Sequence, residues 1–393
     1  MRDLTQRGEL LVTFARGASE IVAAELRDLG YSSKPADETA RTTEGNLEDV
    51  MRLNLWLRAA QRVLMPVASA SARDPQELYS AMVAEPWERL LHPDGYISVT
   101  ASVREAEVRD PRYAALKLKD AIVDRIAKIC GRRPDSGGRR DRAVLHLHWA
   151  GGVATVSIDT SGEPLSRRGY RLQPGRAPMQ ESLAAACILA SPWRGSTPFV
   201  NPMCGSGTLA IEAALIASNR APGLLRDNFG FFHVRGFRER EWKRLKSDAR
   251  AGITRITPPC EIIASDISPR AVEAARANAE RAEVAVDIRF EVCDFADTTI
   301  PPSPGVIFLN PEYGERLGDA EALAPVYTRI GDFLKQRCTG YVGYVFTANL
   351  ALAKRIGLRS RRRLAFFNAN LEGRLLEFEL YAGSRKATSR PER

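Results

Sequence analysis

The chain has 393 residues, of which 44% are hydrophobic and 27% charged, and a formal net charge of +9. Its length suits two or three domains with a substantial core, and the basic excess favours a polyanionic partner over a neutral one. No apolar run reaches the ~20 residues of a membrane span and the first ten residues lack a signal-peptide core. The six cysteines have no CxxC spacing, which points to a reducing cytoplasm with neither a metal site nor a disulfide framework.

Residues 10–14 read as a strand, followed by an amphipathic helix over 21–29 with Ser19 as its cap. Residues 41–46 are polar, and helical spacing returns over 47–63. Alternation predicts a strand over 97–103, then a long helix over 112–129 and a basic turn over 135–142. Residues 144–149 and 153–158 form a hairpin about Gly151 and Gly152. Residues 1–160 are thus expected to be a small α+β region, joined by a link over 161–178 to a larger α/β domain over 179–385.

In that second part, strands at 199–200, 262–264, 288–291, 306–309, 340–346 and 374–381 alternate with helices in the order of parallel βαβ units. Residues 222–258 exceed what a βα connection needs and mix Phe229, Phe231, Phe232 and Trp242 with arginines and lysines. Residues 386–393 read as a disordered basic tail.

Gly205 and Gly207 follow the strand at 199–200 and open an apolar helix. Glycines there let the backbone approach a ligand, and the helix N-terminus suits a carboxylate. A packing turn is the alternative. Asp266 ends the next strand, where a carboxylate can accept from both hydroxyls of a ribose, or else cap the helix that opens at Ser268 and Pro269. Asp294 holds the equivalent place on the third strand, suited to an adenine amine with Phe295 beside the ring, or to solvent.

Asn310, Pro311, Glu312 and Tyr313 follow the apolar strand at 306–309. An exocyclic ring amine is a poor nucleophile because its lone pair is delocalised. Two fixed acceptors, the Asn310 side-chain oxygen and the Pro311 carbonyl, would hold its hydrogens, and Tyr313 would stack on the base. Asn-Pro is also a common turn pair. Taken together, the glycine turn and the strand-end residues predict an S-adenosylmethionine (SAM) site beside a pocket for a planar amine.

The combination resembles the class I, SAM-dependent amino-methyltransferases. Within them it is similar to the RlmL/YpsC-type 23S rRNA guanine-N2 methyltransferases. The likeness rests on Asn201-Pro202-Met203-Cys204-Gly205-Ser206-Gly207-Thr208, Arg220-Ala221-Pro222-Gly223 and Asn310-Pro311-x-Tyr313-Gly314-Glu315-Arg316-Leu317. Upstream stretches at 159–171 and 177–186 extend it. The resemblance implies a Rossmann-like sheet preceded by ferredoxin-like and THUMP RNA-binding segments, with residues 53–63, Leu78, Tyr79 and Trp87 fitting that module.

It further implies SAM as cofactor, held by Asn201, Cys204, Gly205, Gly207, Thr208, Asp266, Ile267, Asp294 and Phe295, with Asn310, Pro311 and Tyr313 catalytic. The implied product is N2-methylguanine on a flipped-out base of large-subunit rRNA, with structured RNA as partner and no obligate protein partner. Glu312 stands where the family has a second proline.

Phosphate contacts are expected from Arg139, Arg140 and Arg142, from Arg167, Arg168 and Arg171, and from Arg359 and Arg361 to Arg363, with base stacking from the 222–258 aromatics. The rival readings are a tRNA guanine-N2 or an adenine-N6 methyltransferase. A rival of another class is an RNA-binding assembly factor with weakened catalysis, and a HemK-like protein methyltransferase ranks last because it has no use for an RNA-binding module.

Overall fold

The computed structural model describes all residues except 105–109, 172–178, 303, 315–318, 369–370 and 383–393. Residues 172–178 of the expected link, the tail at 386–393, and Glu315, Arg316 and Leu317 therefore lie outside the described residues. The chain divides into two compact units. One comprises Met1–Gly169, Gln180–Ala186 and Asn219–Thr254; the other comprises Tyr170–Met179, Cys187–Ser218 and Arg255–Arg393.

The first unit begins β1 (Gly8–Phe14), α1 (Ser19–Asp28), β2 (Lys34–Asp37), β3 (Ala40–Gly45), α2 (Leu47–Trp56) and β4 (Ala60–Ser71). It continues α3 (Pro75–Val83), β5 (Tyr96–Arg104), α4 (Pro111–Cys130), β6 (Asp135–Ser136), β7 (Ala143–Ala150) and β8 (Val153–Asp159). These strands form one sheet in the order β2-β3-β1-β4-β8-β7-β5-β6. β4 joins its halves: its start pairs with β1 from Leu64 to Ala60, and Leu64 to Ser71 pair with β8. On β1 every second residue, Leu10, Val12 and Phe14, is buried, as one covered sheet face requires.

Two local expectations are corrected. The helical spacing over 47–63 holds only to Trp56. Leu57 turns extended, and the next two N–H groups, those of Arg58 and Ala59, donate at 2.7 and 2.9 Å to the half-buried Glu25 carboxylate instead of to helix carbonyls. Ser19 is the first helical residue of α1 and not its cap; Ala18 holds the cap position, and Ser19 Oγ accepts from Arg41 at 2.9 Å. Of the polar stretch at 41–46, residues 41–45 belong to β3, which pairs on both sides, and Asn46 caps α2.

Residues 219–254 group with the first unit although they lie in sequence between two strands of the second. They carry α7 (Glu239–Ala251), whose Trp242 packs edge-on against Phe229 and Phe231, both centroids 5.3 Å away. Phe229 and Phe231 are fully buried, and each such ring pair adds about 0.5–1.5 kcal/mol beyond its area. This overturns the stacking expectation for Phe229, Phe231 and Trp242: their faces are closed by one another. Gly230 is required here because a Cβ would lie 2.1 Å from the Asp159 carbonyl oxygen.

Arg226 organises the end of the same unit. Its guanidinium donates to the carbonyls of Ser161, Glu163, Pro164 and Arg167 and lies 4.8 Å from the Phe229 ring centre. Arg168 is 1% exposed and donates to the Leu165 and Arg58 carbonyls, so the expectation that it meets phosphate is corrected.

After α5 (Glu181–Leu189), the second unit's sheet comprises β9 (Phe199–Pro202), β10 (Ile262–Asp266), β11 (Ile288–Val292), β12 (Val306–Leu309), β13 (Val342–Thr347), β14 (Arg362–Asn368) and β15 (Leu371–Glu379). Between them lie α6 (Thr208–Ala217), α8 (Pro269–Arg281), α9 (Asp319–Arg337) and α10 (Leu350–Arg355). The order is β11-β10-β9-β12-β13-β15-β14, with the first five parallel and β15 antiparallel to both neighbours.

This is the doubly wound, Rossmann-like sheet expected, and its direction of winding reverses at β9. Ligands in such sheets bind beyond the strand carboxyl ends at that switch point. β14 had no place in the sequence reading; Arg361 and Arg362, expected on phosphate, pair with the buried Glu377 of β15. Among the described residues no helix is long and apolar enough to cross a membrane.

Candidate cofactor site and amine-binding loop

Four site segments leave the carboxyl ends of four adjacent parallel strands. After β9, Met203 and Gly205 take positive φ (58° and 55°), and the Gly207 N–H closes the turn onto the Cys204 carbonyl at 2.9 Å. Gly207 caps α6 at φ 83°, where a Cβ would sit 2.9 Å from that of Ala275. A Cβ on Gly205 would meet nothing within 4 Å, so open space lies beside the turn. Cys204 is buried, which pushes its thiol well above the usual range and keeps it protonated. Thr208 Oγ1 accepts from Arg171 at 2.9 Å.

Asp266 accepts from main-chain groups on two sides, while Ser268 rather than Asp266 caps α8. Its Oδ1 accepts from the Ser268 N–H and its Oδ2 from the Gly205 N–H, both at 3.0 Å, so the β10 end braces both its own helix start and the glycine turn. Each carboxylate oxygen retains acceptor capacity beyond one bond. Ile267 next to it is 69% exposed, a large aliphatic side chain left uncovered at a strand end.

Beyond β11, Asp294 Oδ1 accepts from the Ala296 N–H at 2.9 Å and from Arg329 at 2.8 Å. Burial works to raise this carboxyl, and those two donors outweigh it, leaving it below the usual carboxylate range. Phe295 is buried in the core, edge-on to Phe333 at 5.8 Å, with the Arg329 guanidinium 4.9 Å from its ring centre.

Asn201 is buried at the end of β9 and donates to the Phe308 carbonyl of β12 at 2.8 Å. After β12, Pro311 is buried, Glu312 exposed and Tyr313 half-buried. Asn310 Oδ1 is buried and accepts no hydrogen bond among the described residues. A buried amide oxygen without a donor costs about 1–3 kcal/mol, so a ligand N–H at this point would be well received.

The Glu312 and Tyr313 carbonyls are tied down by Tyr327 and Asn349, at 3.1 and 3.3 Å. Sequence reasoning missed these two residues, Thr347 and Arg329; they touch the site through main-chain atoms or a second side chain, and no motif marks them.

The chain matches the family model described as the RMKL-like methyltransferase domain over residues 168–377, the RlmL ferredoxin-like domain over 9–64 and the THUMP domain over 72–159. It is 40% identical over 385 residues to the ribosomal RNA large subunit methyltransferase K/L of Syntrophotalea carbinolica, covering 95% of this chain and 53% of that protein. The chain thus spans about half the length of such K/L relatives.

It is 35% identical over 369 residues to a Synechocystis protein named "Putative RNA methyltransferase slr0064", covering 94% of this chain and 96% of the other. Among solved structures, SMU.472, named a "putative methyltransferase" and complexed with SAH, aligns with TM-score 0.86 and 30% identity over 98% of this chain and 100% of its own. With the sheet order, the strand-end residues and these matches together, the chain belongs to the RMKL-like methyltransferase family, with ferredoxin-like and THUMP segments preceding the methyltransferase domain.

Proposed function

We propose that the chain is a SAM-dependent RNA methyltransferase acting on guanine N2 of large-subunit rRNA. The observation that carries this reading is the Asn310 Oδ1 at the switch point of the sheet, just past the strand next to the glycine turn, buried and accepting no hydrogen bond among the described residues. The names of the K/L relatives support rRNA as substrate, and the SAH complex of SMU.472 supports SAM as cofactor.

The residues present fit SAM: the open space at Gly205, the N-terminus of α6, the Asp266 carboxylate and the uncovered Ile267 suit its amino-acid end, ribose and adenine. Asp294 would accept from the adenine amine, while Asn201, Cys204, Gly207, Thr208 and Phe295 shape the turns around it. SAM supplies a methyl group made electrophilic by its sulfonium.

The protein's own contribution is positioning. Asn310 Oδ1 and the Pro311 carbonyl accept the two hydrogens of the target amine and draw its lone pair out of conjugation, while Tyr313 stacks on the flipped base. No strong base is needed, because the nitrogen loses its proton readily once methylated. The THUMP-bearing unit would hold structured RNA through exposed cations such as Arg140 and Arg142.

The test is transfer from labelled SAM into unmodified 23S rRNA and tRNA side by side, with digestion to nucleosides and mass analysis. N2-methylguanosine from 23S rRNA is the expected product. Label in tRNA or on adenine would overturn the substrate assignment, and RNA binding without any label would replace the enzyme with a binding factor.

A further inference from the structure

Two side chains beyond the expected motif hold the loop that follows β12, and a third links them. Tyr327, on α9, is fully buried and its hydroxyl lies 3.1 Å from the Glu312 carbonyl oxygen and 2.9 Å from Thr347 Oγ1. Thr347, the last residue of β13, accepts from the Asn349 N–H at 3.1 Å. Asn349 caps α10 with its Oδ1, accepting from Ala351 and Leu352 at 3.1 and 3.0 Å, and its Nδ2 donates to the Tyr313 carbonyl at 3.3 Å.

The proton count fixes the direction of each bond. Tyr327 has one proton, and the Glu312 carbonyl can only accept, so Tyr327 donates there. Thr347 therefore donates its proton to the Tyr327 oxygen while accepting from Asn349. Burial pushes the Tyr327 hydroxyl up to about 12, so it remains a donor throughout the working pH range. Two successive carbonyls, at Glu312 and Tyr313, are thus anchored to the end of β13 and the start of α10.

We propose that Tyr327, Thr347 and Asn349 are positioning residues that clamp the loop after Asn310 by its backbone, in place of the rigidity a second proline would give at Glu312. Proline restricts the backbone by locking φ near −65°. Glu312 lacks that lock, its side chain is exposed, and its carbonyl is held from outside instead. The clamp would keep the Pro311 carbonyl and Asn310 Oδ1 at a fixed separation for the two amine hydrogens, a geometry on which positional catalysis depends steeply. This rests on the proposed methyl transfer for its catalytic consequence, and on the hydrogen bonds alone for its structural one.

The test compares wild type with Tyr327→Phe, Asn349→Asp, Glu312→Pro and Tyr327→Phe/Glu312→Pro. Asn349→Asp keeps the helix cap and replaces the donor to Tyr313 by an acceptor. Three readouts are taken: the single-turnover rate from labelled SAM into a 23S rRNA transcript at saturating SAM, SAM affinity by calorimetry, and hydrogen exchange of a peptide covering 310–314.

Losing one clamp bond is expected to slow transfer roughly fivefold to tenfold at unchanged SAM affinity, the scale of one hydrogen bond. It should also speed exchange in that peptide. Adding Glu312→Pro to Tyr327→Phe should restore most of both. Wild-type rate and exchange in Tyr327→Phe and Asn349→Asp would overturn the clamp. So would SAM affinity lost in parallel with rate, or a double variant as slow as Tyr327→Phe alone. If the wild type transfers no methyl group, the functional reading fails, and hydrogen exchange still decides the clamp; should the double variant not fold, Asn349→Asp and exchange decide it.

Discussion

The Asn201 side-chain amide donates to the Phe308 carbonyl at 2.8 Å, where the ladder between β9 and β12 has already ended at Val200 and Ile307. One hydrogen bond from a side chain thus continues the pairing across the switch point, joining the strand that leads to Gly205 with the strand that leads to Asn310. Asn201→Ala leaves the Phe308 carbonyl without this donor, and about 1–3 kcal/mol of stability should be lost. Denaturant titration checks it; a variant as stable as wild type would show that the strands need no such tie.

Asp266 braces the glycine turn and is the proposed acceptor for the ribose hydroxyls. Asp266→Ala should weaken SAM binding by about 1–3 kcal/mol, the scale for hydrogen bonds to a charged group. Calorimetric titration with SAM measures this directly, and unchanged affinity would remove Asp266 from the cofactor site.

Arg329 holds Asp294 below the usual carboxylate range against the opposing effect of burial. A depressed carboxylate contributes above its unfolded pKa, and that contribution is lost as pH falls through the folded value. Arg329→Met removes one of the two donors, so the folded pKa of Asp294 rises and the acid limb of SAM affinity should move to higher pH. Titrations between pH 4 and 7 check this; identical acid limbs in variant and wild type would mean that Asp294 does not touch the cofactor.

Which parts of the site can be read in the sequence follows from how each residue acts. Gly205, Asp266, Asp294 and Asn310 follow short strands, and a strand ended by a glycine, a carboxylate or an amide is visible in one dimension. Tyr327 and Asn349 act on main-chain carbonyls from separate elements, with Thr347 linking the two, so neither their identity nor their spacing signals the role.

The boundary at Trp56 was hidden because α2 and β4 are both apolar and the stop comes from Glu25, 33 residues before Arg58. β14 was hidden because an edge strand opening with Arg362 and Arg363 carries the charges that discourage edge pairing and reads as a solvated run. The aromatics of 222–258 were plain in composition, and only packing shows that Phe229, Phe231 and Trp242 close on one another.

In the first unit, Arg62 pairs with the buried Asp159, which also accepts from the Ser161 and Gly162 N–H groups at 3.2 Å. Arg62→Met leaves that carboxylate buried without its cation and should cost about 3–5 kcal/mol, with partial recovery on adding Asp159→Asn. Burial unopposed by Arg62 raises the folded pKa of Asp159 further, so the single variant should lose stability as pH rises through the interval between the unfolded and folded values. Thermal unfolding at several pH values checks both; a stable single variant would mean that the pair is dispensable.

The most direct measurement is single-turnover methyl transfer by Asn310→Ala beside SAM affinity for the same variant. Asn310 Oδ1, which accepts no hydrogen bond among the described residues, is assigned to the reacting amine and not to the cofactor, so transfer into 23S rRNA should fall at least a hundredfold, about 2.7 kcal/mol of barrier, while SAM affinity stays within twofold. Transfer at the wild-type rate, or rate and SAM affinity lost together, would contradict the assignment.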